Sequence, residues 1–156
     1  MKTHHYNITT KWTGNTGSGT SKYNQYSRDH IISSENKSHT ISGSSDPAFL
    51  GDPEKYNPEE LLLSSISSCH MLWYLHLCAS HHVVVTAYFD HAEGVMEELE
   101  NGSGKFKEVI LYPQVTVQNE TMTEPALKLH EEAHKMCFIA NSCNFKIGHK
   151  PSIIAL

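Results

Sequence analysis

The stretch NPEELLLSSISSCHMLWYLHLCAS, residues 57–80, decides the fold because it predicts one long, uncharged helix. Asn57 is a favourable helix N-cap, Pro58 suits the first helical position, and the next two glutamates complement the positive end of the helix dipole. No charged residue follows until the stretch ends. We therefore predict a central, buried helix over residues 57–80.

A cysteine lies midway along this predicted helix. One stripe of the helix, at helical spacing, is formed by Leu62, Ile66, Cys69 and Trp73. Leu72 and His76 lie beside this stripe. A free cysteine in such a place is more often core packing than chemistry. The pattern alone therefore leaves both interpretations of Cys69 open.

Composition limits the class of protein. The chain has 156 residues, a formal charge of −5 and no basic cluster, which argues against nucleic-acid binding. The N-terminal residues lack the apolar run of a signal peptide, and serines and histidines dilute the uncharged run in 61–80. The four cysteines show no CxxC pair. We expect a soluble, intracellular protein that does not enter a membrane.

The remaining pattern predicts strands on both sides of the helix. We expect a single domain over residues 1–156, made of an N-terminal β-hairpin and loop (1–56), the central helix (57–80) and a ββαβ portion (83–156). The predicted elements are strands 4–12 and 21–33 around a glycine-rich turn at 14–20, a hairpin of 83–99 with 106–118, a helix over 124–136 and a last strand within 145–155. This order predicts an α+β fold with antiparallel sheets.

The segment His130-Glu131-Glu132-Ala133-His134 matches the HExxH pattern of zinc peptidases. Such a site needs a third protein ligand, and no Asp or Glu follows Glu132. Cys137 or His149 could replace it only in an unusual site. A zinc hydrolase is therefore a remote alternative, and we expect no metal and a solvated helix face here.

A second arrangement would pair Cys69 with His70 as nucleophile and base. Adjacent helical residues point about 100° apart, so the two side chains do not face each other. A hydrolase of the triad type also needs an orienting carboxylate and an oxyanion hole, and neither is visible in the sequence. This interpretation is weak.

A third arrangement is redox chemistry between distant thiols. Cys137 ends the second predicted helix, and thiols far apart in sequence can meet in a fold. A free thiol is only a few per cent thiolate at neutral pH, so peroxide chemistry needs a nearby cation. Arg28 is the only arginine in the chain, and Glu59 is a natural carboxylate partner for it.

Three segments together resemble the OsmC/Ohr family of bacterial thiol peroxidases: NPEELLLSSISSCHMLW from residue 57, YSRDH (26–30) and CFIANS (137–142). The strongest matches are Asn57-Pro58-Glu59, the ten-residue step from Glu59 to Cys69, and the second cysteine, Cys137. The details are closer to an OsmC-like branch than to the hydroperoxide resistance branch. Phe138 stands where members often carry proline, and Cys143 is an extra thiol that could compete as resolving cysteine.

The resemblance implies reduction of organic hydroperoxides, alkyl or fatty-acyl, in stress defence in the bacterial cytoplasm. It implies that Cys69 is the peroxidatic cysteine, Cys137 the resolving one, Arg28 the catalytic arginine and Glu59 the residue that holds it. It also implies an external dithiol or lipoylated-protein reductant, no bound cofactor, and an OsmC-like fold in an intertwined homodimer. The expected substrate-binding residues are Met71, Leu72, Trp73 and Phe138.

Helix length adds a geometric expectation. Ten helical residues rise about 15 Å, so Glu59 and Cys69 of one straight helix cannot share a tight site. Either the helix is broken between them, or a second copy supplies Glu59 or Arg28. A non-catalytic protein of the same fold that binds a hydrophobic ligand is the alternative to an enzyme.

Overall fold

The computed structural model describes residues 1–156 and contains two long helices and nine strands. The first strands are β1 (Thr9–Trp12), β2 (His30–Ser33) and β3 (Ile41–Gly43), followed by helix α1 (Pro58–Ser80). Four strands come next: β4 (Val85–Asp90), β5 (Glu93–Glu98), β6 (Gly104–Leu111) and β7 (Pro113–Val117). Helix α2 (Thr123–Met136) and strands β8 (Lys146–His149) and β9 (Ser152–Ala155) complete the chain.

The chain divides into two units, Met1–Leu61 and Leu62–Leu156. The first unit holds the antiparallel sheet β1-β2-β3, and the second holds the sheets β4-β7-β9 and β5-β6-β8. The predicted α+β class is confirmed. Strands β8 and β9 pair in parallel with β6 and β7, so these sheets are mixed and not purely antiparallel. The single domain and the homodimer stay predictions.

The predicted N-terminal hairpin exists, but its second strand is much shorter than expected. Strand β1 pairs antiparallel with β2, with Trp12 opposite His30, while residues 21–29 form turns and irregular backbone. The Arg28 guanidinium binds the carbonyls of Tyr23 and Tyr26, which removes those oxygens from any strand ladder. Strand β3 lies inside the segment predicted as loop 34–56.

Helix α1 begins where the sequence predicts. The Asn57 side chain accepts a hydrogen bond from the Glu60 N–H at 2.8 Å, and the Glu60 carboxylate accepts one from the Asn57 N–H at 3.1 Å. This reciprocal capping box satisfies two backbone donors at the helix start. The helix then runs unbroken for 23 residues. The broken-helix alternative for Glu59 and Cys69 is therefore wrong.

The predicted hairpin of 83–99 with 106–118 exists, but each half divides into two strands. Strands β5 and β6 form the hairpin, while β4 and β7 pair in the other sheet. Asp90 lies at this change of sheet, where its carboxylate accepts hydrogen bonds from the Tyr112 N–H at 2.7 Å and the Ser67 hydroxyl at 2.5 Å. Pro113 follows as the first residue of β7, a position that needs no ladder donor.

The core of the second unit has two parts. Ile66 of α1 packs with Val109 and Leu111 of β6. Tyr74 and Cys78 of α1 pack in a larger cluster with β7 and α2, completed by Val83, Val115, Val117, Ala126, Leu129 and Ala133. The buried face of α1 consists of Ile66, His70, Tyr74 and Cys78. The predicted stripe is therefore displaced, with Cys69 and Trp73 half-buried beside that face.

Candidate active site

The second unit brings the two predicted redox cysteines together. Cys69 lies in the middle of α1, and Cys137 follows the last residue of α2 and is fully buried. Both are free thiols, and Cys69 lies near enough to Cys137 to contribute to the raised pKa of the Cys137 thiol. Burial, reinforced by this neighbouring thiol, raises the pKa of Cys137 to about 11. Cys137 is therefore almost entirely protonated at neutral pH.

The backbone after α2 holds the Cys137 thiol in place. The Ala140 N–H donates to Cys137 Sγ at 3.4 Å, and the Asn141 N–H donates to the Cys137 carbonyl at 3.0 Å. A short 3₁₀ turn at Ala140–Ser142 follows from these contacts. The segment CFIANS thus folds back on its own cysteine and fixes the direction of the thiol.

Cys143 has different surroundings. Its thiol donates to the Ile139 carbonyl at 3.3 Å, and its side chain packs beside the cluster of Ile66, Val109 and Leu111. Burial raises the pKa of the Cys143 thiol. Cys69 contributes to the raised pKa of Cys137, whereas burial alone raises that of Cys143.

Apolar side chains near the thiols are exposed. Leu72 and Phe138 are 63% and 66% exposed, which is high for large apolar residues. The Phe138 ring meets the Trp73 ring edge-on, with centroids 5.5 Å apart. Leu72, Trp73 and His76 line an open cavity of about 240 Å³. Met71, the fourth predicted substrate-binding residue, is half-buried and does not line this cavity.

In the first unit, the Arg28 guanidinium is held between two tyrosines. Its nitrogens donate to the Tyr26 carbonyl at 2.5 Å and the Tyr23 carbonyl at 2.6 Å, and its central carbon lies 4.2 and 4.4 Å from the two ring centroids. Cation–π contacts on both rings keep the guanidinium ordered. Arg28 and Glu59 form no ion pair with each other, so the predicted contact between them is not made in this chain.

The HExxH segment is not the solvated face that the sequence predicts. His130 is fully buried, and its Nδ1 lies 3.0 Å from Nε2 of the equally buried His70. His149 of β8 joins these rings, and its Nε2 lies 3.2 Å from a carboxylate oxygen of the exposed Glu131. No three His, Cys, Asp or Glu side chains are arranged to hold a metal ion.

This histidine cluster could have been found from the sequence. Ala126, Leu129, His130, Ala133 and Cys137 recur at the spacing of one helix face. That periodicity places His130 in the core despite its charged neighbours. The match to a metal-site motif hid this simpler signal.

Comparison with known proteins identifies the family. The family model described as OsmC-like protein matches residues 51–150, well over half of the chain. The chain belongs to the OsmC family. No curated protein sequence matches this OsmC-family chain.

Solved structures share the fold over nearly the whole chain. An OsmC-like protein of unknown function from Vibrio cholerae is 28% identical, with a TM-score of 0.84 over 96% of this chain and 100% of that one. An organic hydroperoxide resistance protein from Elizabethkingia anophelis, solved with thiocyanate bound, is 22% identical, with a TM-score of 0.68 over 100% of both chains. Another Vibrio cholerae protein, a possible organic hydroperoxide resistance protein with captopril bound in one active site, is 18% identical, with a TM-score of 0.64 over 97% of this chain and 93% of that one.

Proposed function

We propose that this OsmC-family protein is a cysteine-based thiol peroxidase that reduces organic hydroperoxides to alcohols. The observation that carries the proposal is the proximity of the free thiols of Cys69 and Cys137, beside exposed apolar side chains. Family membership and the neighbours named organic hydroperoxide resistance proteins agree with it.

The first step consumes the peroxide at Cys69. The Cys69 thiolate attacks one peroxide oxygen, the O–O bond breaks, and the alkoxide takes up a proton and leaves as the alcohol. The sulfur becomes a sulfenic acid and is oxidised by two electrons. Cys137 is a poor competitor for the peroxide because its pKa of about 11 leaves roughly one molecule in ten thousand as thiolate at pH 7.

The second step forms a disulfide. The Cys137 thiol attacks the Cys69 sulfenic acid, an S–S bond forms, and the hydroxyl leaves as water with the Cys137 proton. An external dithiol, which we propose is of the lipoyl type, then reduces the disulfide by exchange and is itself oxidised. No bound cofactor takes part in this cycle.

Arg28 and Glu59 are proposed to activate the Cys69 thiolate in a homodimer. An arginine keeps its charge when desolvated and lowers the pKa of a thiol beside it. The continuous α1 separates Glu59 from Cys69 by ten residues, or about 15 Å, within one chain. This separation favours an arrangement in which a second copy contributes Glu59 or Arg28. The expected setting is the bacterial cytoplasm, with no nucleic acid or membrane as partner.

The proposal is tested by steady-state turnover with dihydrolipoamide and either an alkyl hydroperoxide, a fatty-acid hydroperoxide or hydrogen peroxide. We expect the organic substrates to be preferred, because the exposed Leu72, Trp73 and Phe138 suit an alkyl chain. Cys69→Ser should lose at least about a hundredfold in rate, since the thiolate is the nucleophile, while Cys143→Ser stays within about twofold. Parental turnover in Cys69→Ser excludes this mechanism.

A non-catalytic hydrophobic-ligand protein is the second candidate. The exposed Leu72 and Phe138 and the cavity beside Trp73 are equally suited to an apolar ligand. A folded protein that binds a fatty acid but shows no hydroperoxide-dependent oxidation of the dithiol would support this candidate instead.

A further inference from the structure

A buried pair of imidazoles connects the two helices that carry the thiols. His70 Nε2 and His130 Nδ1 lie 3.0 Å apart, and the side chains are 1% and 0% exposed. The two rings are close to parallel, at 7°, with centroids 5.3 Å apart. This contact is the only hydrogen bond between α1 and α2.

Neighbouring side chains fix the orientation of both rings. The Tyr74 ring stacks on His130 with centroids 3.8 Å apart, and His149 lies 5.4 Å from His70 and 6.1 Å from His130. The His134 and His149 ring centroids are 5.3 Å apart. Burial, together with the neighbouring histidines, lowers the pKa of both paired imidazoles. They are therefore neutral near pH 7, and one ring donates while the other accepts.

Burying this pair of imidazoles is energetically unfavourable. His70 Nδ1 and His130 Nε2 have no hydrogen-bond partner although both are buried. Unpaired buried polar atoms are unfavourable, and two apolar side chains of similar volume would avoid that cost. The directional hydrogen bond between the rings defines one alignment of the two helices, and apolar packing would not do so.

That alignment bears directly on the thiols. His70 follows Cys69 in α1, and His130 precedes Cys137 by seven residues, or about two helical turns, on the same buried face. A shift of one helix along the other would break the imidazole bond and separate the sulfurs. We propose that His70 and His130 are positioning residues that hold Cys69 and Cys137 at the distance needed for disulfide formation. This inference rests on the proposed dithiol chemistry.

The test measures the disulfide without peroxide. The protein is equilibrated with mixtures of reduced and oxidised glutathione, in which glutathione disulfide oxidises the Cys69–Cys137 dithiol and two glutathione thiols are released. At half oxidation, the squared concentration of reduced glutathione divided by that of glutathione disulfide gives the effective concentration of the Cys69 and Cys137 thiols toward each other. We expect His70→Leu and His130→Leu to lower it about tenfold, because each removes one hydrogen bond that favours the aligned state.

Conservative variants separate positioning from general stability. The Gln amide can replace Nε2 in His70→Gln, and the Asn amide can replace Nδ1 in His130→Asn, so both should stay within about threefold of the parent. Ile66→Val is the matched control, because it loses core packing one turn before His70 without touching the bond. The effective concentration of the two thiols in Ile66→Val should equal that of the parent.

The double variant His70→Leu/His130→Leu removes both polar partners and should fold even if a single variant does not. Its effective concentration should still be about tenfold low, since apolar packing does not restore the alignment. The proposal is wrong if folded Leu variants keep the parental value, or if the Gln and Asn variants lose as much as the Leu variants. A glutathione effect in a protein that does not react with peroxide would instead count against the proposed function alone.

Discussion

The buried thiol of Cys137, at the end of α2, neighbours the thiol of Cys69 in the middle of α1. The two residues are 68 positions apart in sequence, and the core of the second unit brings their helices together. Burial raises the pKa of Cys137 to about 11, whereas Cys69 is half-buried. This asymmetry gives the two thiols different proposed roles.

Cys137→Ser should separate oxidation from resolution. We expect the first oxidation of Cys69 by an alkyl hydroperoxide to keep its rate within about threefold, because the nucleophile is intact. Turnover with a dithiol should fall at least about tenfold as the sulfenic acid accumulates and overoxidises. Rapid-mixing kinetics and trapping with dimedone, analysed by mass spectrometry, measure both. An equal decrease in the rate of the first oxidation and in turnover would contradict the proposed roles of Cys69 and Cys137.

Mixing two inactive variants should test the trans arrangement. Cys69→Ser and Glu59→Ala chains, each inactive alone, should regain about a quarter of parental activity after subunit exchange, which is the statistical share of intact sites in a two-fold dimer. The measurement is peroxide turnover before and after exchange, with each variant exchanged against itself as control. If exchange is shown by mass and no activity returns, Glu59 does not act across a dimer.

Stability should fall at acid pH because of the buried histidines. Burial lowers the pKa of His70 from 6.5 to about 4 and that of His130 to about 3. A lowered pKa in the folded state means that, as pH falls, the unfolded chain takes up protons before the folded chain does. The free energy of unfolding therefore keeps its full value above about pH 6.5 and decreases as pH falls toward 4. For His70 alone the loss is about 3 kcal/mol by pH 4. Tyr74 and His149 contact these rings, and His134 and Glu131 contact His149 in turn.

Urea unfolding at pH 7.5 and pH 4.5 measures this loss. The double variant His70→Leu/His130→Leu should show a much smaller difference between the two pH values than the parent does. His39→Gln, which changes an exposed histidine of the first unit, should show the parental difference. The same pH dependence in the double variant and the parent would show that other groups are responsible.

The end of α1 offers a stabilising substitution. His82 has a positive φ of 60°, and the Val83 N–H donates to the Cys78 carbonyl at 2.9 Å in a Schellman-type cap. Glycine adopts this conformation without the steric cost that a Cβ brings, so His82→Gly should stabilise the protein by about 1 kcal/mol. Thermal unfolding should show a rise of about 2–4 °C.

His82→Ala is the matched control, because it removes the imidazole and keeps the Cβ. It should show no comparable gain. A gain equal to that of His82→Gly would mean that the imidazole, and not the backbone conformation, carries the cost.

The beginning of α1 could be predicted because its determinants are local. Asn57 and Glu60 form the cap within four residues, and the uncharged run fixes the length of the helix. The division of 83–99 could not be predicted in this way, because Asp90 accepts from Ser67 and Tyr112, which lie 23 and 22 residues away. Such contacts exist only in the folded chain.

In the candidate site, too, some features could be predicted from the sequence and others could not. The pairing of Cys69 with Cys137 follows from the family resemblance, because periodicity alone leaves Cys69 open between packing and chemistry. The match to the metal-site motif predicts a solvated face at His130, whereas the spacing of its helix face indicates the burial that the structure shows. The tyrosine contacts of Arg28 depend on a loop conformation, and no pattern in residues 21–29 indicated them.

Peptide mass mapping after one equivalent of an organic hydroperoxide tests the central claim most directly. The parental protein should yield one disulfide-linked peptide pair joining Cys69 to Cys137, with Cys78 and Cys143 still reduced and one equivalent of alcohol released. A disulfide from Cys69 to Cys143, or four unmodified thiols with the hydroperoxide intact, would contradict the account.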